Sequence, residues 1–157
     1  MMRLSARGLA SVFVLTLAAC GGSGSPATTP APVPFDSTKF APDLAVDLKS
    51  FTRLSSGMYV FDAVKGNGIV AAEGKKVTFK YQAFLPDGSL VEAQATPIEA
   101  EMNDGMIKGL RFGIAGMRAG GQRRLVVPPT MAYGRSQYGK VPPNSTLVFD
   151  VQLLSVR

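Results

Sequence analysis

The 157-residue sequence predicts an α+β fold, with one late, short helix covering one face of an antiparallel β-sheet. Three observations predict it. Val77, Phe79, Tyr81, Ala83 and Leu85 alternate with Thr78, Lys80 and Gln82, the period of two of a half-buried strand. Leu147, Phe149, Val151 and Leu153 repeat that alternation near the end, with Asp150 and Gln152 on the other face. Between these runs, Ile107, Leu110, Ile114 and Met117 lie at i, i+3, i+7 and i+10, on one face of a helix.

The elements follow in chain order. Met1–Gly8 carries Arg3 and Arg7, and Leu9–Ala19 is a run of apolar and small residues too short to span a bilayer. The run closes on Leu17-Ala18-Ala19-Cys20, which resembles a bacterial lipobox. Residues 1–19 are therefore expected to be a removable signal peptide, with Cys20 as the lipidated residue. Cys20 is the only cysteine, so it has no intramolecular disulfide partner. Gly21 after it points to the outer membrane, facing the periplasm. The plainer alternative is an ordinary secretory signal, with Cys20 a bystander. Gly21–Pro34 holds three glycines and four prolines and reads as a tether. Its reach is about 20 Å if flexible and about 40 Å as polyproline II.

Residues 35–56 form an N-terminal arm with two readings. Phe40, Leu44, Leu48 and Phe51 fall at near-helical spacing, with Pro42 and Asp43 suiting a first turn. An extended arm packed on the domain fits equally. From Gly57 the pattern sharpens. Met58–Val64 is a strand ended by Gly66-Asn67-Gly68, and Val77–Leu85 ends at the turn Pro86-Asp87-Gly88. Leu90–Gln94 and Ile98–Met102 follow as two short strands. Gly109, Gly113 and Gly116 weaken the helix by about 1 kcal/mol each, so it holds only by packing on the sheet. Leu125–Val127 and Leu147–Leu154 then bracket a long loop carrying Tyr133-Gly134, Val141 and Pro142-Pro143. Sites are often built this way, with a loop on a rigid frame.

Composition excludes several classes of chemistry. The formal net charge is +6, or +4 once Arg3 and Arg7 leave with the leader. The basic residues are scattered, Lys75-Lys76 and Arg123-Arg124 being the densest groups, which suits a solubilising surface better than a nucleic-acid stripe. The sequence has no histidine, which removes His-based triads, bases and metal sites. No metal-ligand cluster of acids and no phosphate-binding loop appears, so no cofactor is expected. What remains is apolar and aromatic: Tyr81, Phe84, Met106, Ile107, Leu110, Tyr133, Val141 and Phe149. Such a set suits a concave site for an apolar, cyclic ligand. Taken alone, Ile107, Leu110 and Phe149 read as core. Tyr133 differs, because it sits beside a glycine in a loop.

The stretches GMRAGGQRRLVVPPTMAYG and VPPNSTLVFDVQLLSVR resemble the C-terminal half of the FKBP-type peptidyl-prolyl isomerases. GMYVFDAVKGNG, KVTFKYQAFLPDGSLVE and MIKGL match upstream in the same order, so the resemblance covers residues 57–157. It implies a bent antiparallel sheet wrapped around one short helix, with the active cavity between them. It implies catalytic roles for Tyr81, a hydroxyl-bearing wall, for Tyr133, the loop tyrosine, for Phe149, a cavity residue, and for Ile107, whose N–H would meet a peptide carbonyl. Val91, Glu92, Met106, Leu110 and Val141 would contact substrate. Three departures stand out. Val91-Glu92 replaces the usual Phe-Asp, Leu110 replaces the usual tryptophan floor, and the Phe-Asp-Ser-Ser run gives way to Val91-Glu92-Ala93-Gln94. A shallower floor should hold a proline ring more weakly.

The resemblance implies a peptidyl-prolyl cis-trans isomerase acting on Xaa-Pro bonds of folding proteins in the bacterial envelope, open to macrolide inhibitors. No nucleic-acid partner is expected, and the short tether points to a monomer. The rival readings are a binding module for proline-containing segments and a structural lipoprotein with a vestigial cavity.

Overall fold

The computed structural model describes residues 38–157. The expected signal peptide, the lipidated Cys20 and the tether of residues 20–34 lie outside the described residues.

Six strands form a single antiparallel sheet: β1 (Thr52–Arg53), β2 (Tyr59–Val64), β3 (Lys76–Phe84), β4 (Leu90–Glu101), β5 (Gln122–Val127) and β6 (Leu147–Val156). Their order across the sheet is β1-β2-β5-β6-β3-β4. The helix α1 (Lys108–Ile114) lies between β4 and β5 in sequence. The alternation read in the sequence decides which face it covers. Val77, Phe79 and Ala83 of β3 are buried, as are Leu147, Phe149, Val151 and Leu153 of β6. With Leu125 and Val127 of β5 and Leu110 and Ile114 of α1 they form one core. Full burial of such side chains is worth about 1.5–3 kcal/mol each.

The helix glycines do more than weaken α1. A Cβ built at Gly109 would fall 2.5 Å from Val127 Cγ1 and 3.1 Å from the Met131 carbonyl oxygen, and one at Gly113 would overlap Leu125 Cδ1. Bare backbone therefore lets the helix sit directly on β5. A propensity loss of about 1 kcal/mol per glycine is offset by close packing. Ile107 precedes the first helical residue, and Met117 follows the positive-φ Gly116 but stays buried. The expected stripe thus begins and ends outside the helix proper.

Two further expectations change. Leu90–Gln94 and Ile98–Met102 are not separate strands but parts of the single strand β4. Phe79 pairs with Ile98 and Tyr81 with Gln94, so β4 bulges by two residues around Pro97. Proline is tolerated there because β4 is the sheet edge. The arm takes the extended reading. A single 3₁₀ turn, Pro42–Leu44, ends at Ala45 in the left-handed region (φ 46°), which stops helix propagation.

The arm is tied down by named contacts. The Ala41 N–H donates to Pro86 O at 2.7 Å, and the Arg124 guanidinium donates to Leu44 O. Arg124 also grips both carboxylate oxygens of Asp150, its cross-strand partner, at 2.5 and 2.7 Å. Arg123 grips Asp62 at 2.6 and 3.1 Å and donates to the Gly113 carbonyl at the end of α1, 3.0 Å away. The Arg123-Arg124 pair, read above as surface charge, is structural. One arginine closes the helix end, and the other holds the arm to the sheet.

Candidate active site

A cavity of about 520 Å³ opens between β3, β4, α1 and the β5–β6 loop. Phe79 and Tyr81 reach it from β3, because residues two apart on a strand share a face. Ile98 and Ala100 reach it from β4, and Met106, Ile107 and Leu110 from the start of α1. Tyr133 and Tyr138 close it from the loop. The Tyr81 hydroxyl donates to Glu92 Oε1 at 2.6 Å across the β3–β4 ladder. Burial and that carboxylate raise the Tyr81 pKa well beyond the ordinary phenol value. Burial, and to a lesser degree Glu92 and Tyr138, push Tyr133 up to about 12. Both phenols are therefore neutral hydrogen-bonding groups at physiological pH.

The loop that carries Tyr133 is pinned at several points. A 3₁₀ turn at Pro129–Met131 leads into it, and the Gly134 N–H donates back to Pro129 O at 2.8 Å. Asn144 N–H donates to Gly134 O at 2.7 Å, and Tyr138 and Val141 exchange hydrogen bonds of 3.1 and 2.8 Å. The Tyr138 ring stacks on Tyr133, with centroids 4.3 Å apart and planes 8° from parallel. The Ile107 N–H, ahead of the helical residues, takes no backbone carbonyl among the described residues. It remains a donor at the cavity.

Tyr81, Glu92, Met106, Ile107, Leu110 and Tyr133 are brought together on the cavity wall. Val91, Val141 and Phe149 are not on it. Phe149 is fully buried behind Tyr81, with ring centroids 5.9 Å apart. Val141 belongs to the core, and Val91 packs against it. Phe79, Ile98, Ala100, Glu101 and Tyr138 line the cavity without having been singled out. Phe79 was readable from the strand period. Ile98 and Ala100 needed the bulge, and Tyr138 lies in a loop without period.

A larger hollow, about 620 Å³, lies on the opposite face of the sheet beneath the arm. Gln82, Gln122, Gln152 and the Arg124–Asp150 pair line it together with Phe51 and Phe61. The smaller cavity has apolar walls, the Tyr81 and Tyr133 hydroxyls and the Ile107 N–H, with Glu92 and Glu101 on its rim, and it suits a cyclic apolar group beside an amide.

Comparison with known proteins identifies the family and the fold. Residues 68–154 match the family described as FKBP-type peptidyl-prolyl cis-trans isomerase. The chloroplastic peptidyl-prolyl cis-trans isomerase FKBP16-4 of Arabidopsis thaliana is 34% identical over 118 residues, covering 68% of this chain and 51% of that protein. FK506-binding protein 4 of Neurospora crassa is 36% identical over 111 residues, covering 69% of this chain and 24% of that protein. The chain thus spans about half or less of these relatives. Among solved structures, FkpA from Escherichia coli superposes with a TM-score of 0.65 at 33% identity, covering 74% of this chain and 55% of that one. AtFKBP13 superposes with a TM-score of 0.63 at 29% identity, covering 68% of this chain and 98% of that one.

Proposed function

The chain belongs to the FKBP-type peptidyl-prolyl cis-trans isomerase family, and from that footing we propose that its cavity accelerates cis–trans exchange of Xaa-Pro bonds. Rotation about an amide faces a barrier of about 18–20 kcal/mol, and uncatalysed Xaa-Pro exchange takes tens to hundreds of seconds. In the twisted transition state resonance is lost and the carbonyl sheds part of its charge separation. An apolar wall disfavours the planar, dipolar ground state relative to the twisted one. The Ile107 N–H and the Tyr133 hydroxyl hold the flanking carbonyls in place. Interactions that strengthen on twisting lower the barrier, and each tenfold requires about 1.4 kcal/mol. No proton transfer is required, which suits a wall without a group tuned to neutral pH.

The observation that carries this reading is the meeting of Tyr81, Ile107, Leu110 and Tyr133, remote in sequence, at one cavity. The setting we propose is the bacterial envelope, with Cys20 lipidated and residues 20–34 as tether. Its support is the Leu17-Ala18-Ala19-Cys20 sequence and the proline-rich run behind it. Labelling cells with a fatty-acid analogue should mark the protein but not a Cys20→Ala variant. An unlabelled parent protein would remove the anchor from the proposal.

Exchange NMR on a short Xaa-Pro peptide tests the activity. The protein should broaden or exchange the cis and trans signals, and Tyr133→Ala should lose most of that effect while keeping its fold. A second reading, a binding module without useful catalysis, is favoured by the small floor residue Leu110. Peptide binding with exchange at the uncatalysed rate would establish it.

A further inference from the structure

The cavity wall has an unusual charge balance for this chain. Of the thirteen residues that line it, Glu92 and Glu101 are acidic and none is lysine or arginine. The whole sequence has 17 basic against 11 acidic residues. Glu92 is engaged by the Tyr81 hydroxyl. Glu101 is exposed and makes no ion pair among the described residues, although Lys76 stands opposite it in the ladder. Arg135 and Lys140 belong to the same loop as Tyr138 but do not line the cavity.

Tyr138 adds an aromatic face to this anionic rim. Tyr133 covers one side of its ring, and the residue remains 55% exposed. Its backbone is fixed by the reciprocal hydrogen bonds with Val141, around a turn that uses the positive φ of Gly139 (52°). The ring is thus already in place before a ligand arrives, so little ordering entropy is lost on contact. A tyrosine face attracts a cation, and the half-buried Glu92 and the exposed Glu101 on the same rim add to that attraction.

We infer that Tyr138 is a specificity-determining residue, and that the cavity prefers Xaa-Pro segments with a lysine or arginine next to the proline. This rests on the proposed isomerase reading and narrows its substrate class. Aliphatic neighbours gain only apolar burial on the ring face, and acidic ones meet repulsion from Glu92 and Glu101.

The test uses two matched peptide series with lysine, leucine or glutamate immediately before or immediately after proline. Exchange rates and chemical-shift titrations are measured with the same protein. In at least one series, kcat/KM for lysine should exceed that for glutamate by about tenfold at low salt, and leucine should fall between them. Glu101→Gln and Tyr138→Ala should each reduce the lysine-to-glutamate ratio several-fold, and Tyr138→Phe should retain it. Both sites are exposed, so the fold should survive. Leucine equal to lysine in both series, or a ratio untouched by Glu101→Gln and Tyr138→Ala, overturns the inference alone. If no peptide exchanges faster but lysine peptides still bind tighter than glutamate ones, the inference stands and the isomerase reading falls. Absence of both exchange and binding overturns both.

Discussion

The Tyr81 hydroxyl and the Glu92 carboxylate meet across the β3–β4 ladder at 2.6 Å, which commits the tyrosine's single proton to the strand beside it. The phenol is held still and its oxygen keeps only acceptor capacity towards the cavity. Tyr133, whose hydroxyl makes no hydrogen bond among the described residues, is the one placed to donate to a ligand. Tyr81→Phe should lower kcat/KM by about three- to tenfold, the equivalent of about 1 kcal/mol, because the wall loses its anchor but keeps its shape. Glu92→Gln should do less, since an amide oxygen can still accept. A peptide-exchange assay on both variants checks the order.

Both site phenols ionise late, and this sets the alkaline behaviour. Their folded pKa values lie above the unfolded value of about 10, so the fold favours the protonated form. The resulting stability is fully present below about pH 10 and is lost as pH rises through the folded values. Denaturant unfolding at stepped pH should therefore show a midpoint falling above about pH 10, and less so in Tyr133→Phe. In a phenolate absorbance titration Tyr133 should ionise near 12, with Tyr81 later.

Gly109 offers a test of how closely helix and sheet must approach. Alanine gains about 1 kcal/mol of helix propensity. Its Cβ would meet Val127 Cγ1 at 2.5 Å, on a stiff β-branched side chain next to a backbone carbonyl. Overpacking of this kind costs about 1–3 kcal/mol, so it outweighs the propensity gain. Gly109→Ala should unfold at lower denaturant and also weaken peptide exchange, since Leu110 rides on that helix and Ile107 directly precedes it. Equal stability would mean that α1 can lift off β5 freely.

Leu110 is the floor residue at the helix–cavity boundary, nearly buried and apolar. If floor area limits the rate, Leu110→Trp should raise kcat/KM several-fold by burying more of the proline ring. An unchanged or slower rate in a folded variant would show that floor size is not limiting.

Arg124 is the hinge between arm and sheet. Bonds to Asp150 and Leu44 O are lost together in Arg124→Ala. Hydrogen exchange at Ala41, Leu44 and Ala45 should accelerate, and proteolysis should shorten the chain to near Thr52. Peptide exchange should change less than twofold, because Arg124 is not on the cavity wall.

Much of this was legible in the sequence, for identifiable reasons. β3 and the stretch Phe149–Leu153 of β6 alternate, so faces and core could be read from Phe79, Tyr81, Phe149 and Val151. Tyr81 on β3, Leu110 on α1, and Met106 and Ile107 just ahead of α1 followed from the family pattern. Period fails where register shifts. The bulge at Pro97 joins two apparent strands into β4 and brings Ile98 and Ala100 to the wall. Tyr138 sits in a loop, where nothing in spacing marks a stacked ring. The helix glycines read as weakness because a propensity scale carries no information about the neighbour across the gap. Arg123 and Arg124 read as surface because their partners, Asp62 and Asp150, are 61 and 26 residues away.

The order β1-β2-β5-β6-β3-β4 places the last strand to emerge from the ribosome between two groups of earlier ones. Until Leu147–Val156 is available, β2 and β5 can pair, and β3 and β4 can pair, but no strand pairing among the described residues joins the two halves. The cavity draws walls from both sides of that seam. Without β6 the sheet is open along its middle, with Phe79 and Leu125 uncovered. β6 is the strand that closes the sheet and, with it, the frame of the cavity.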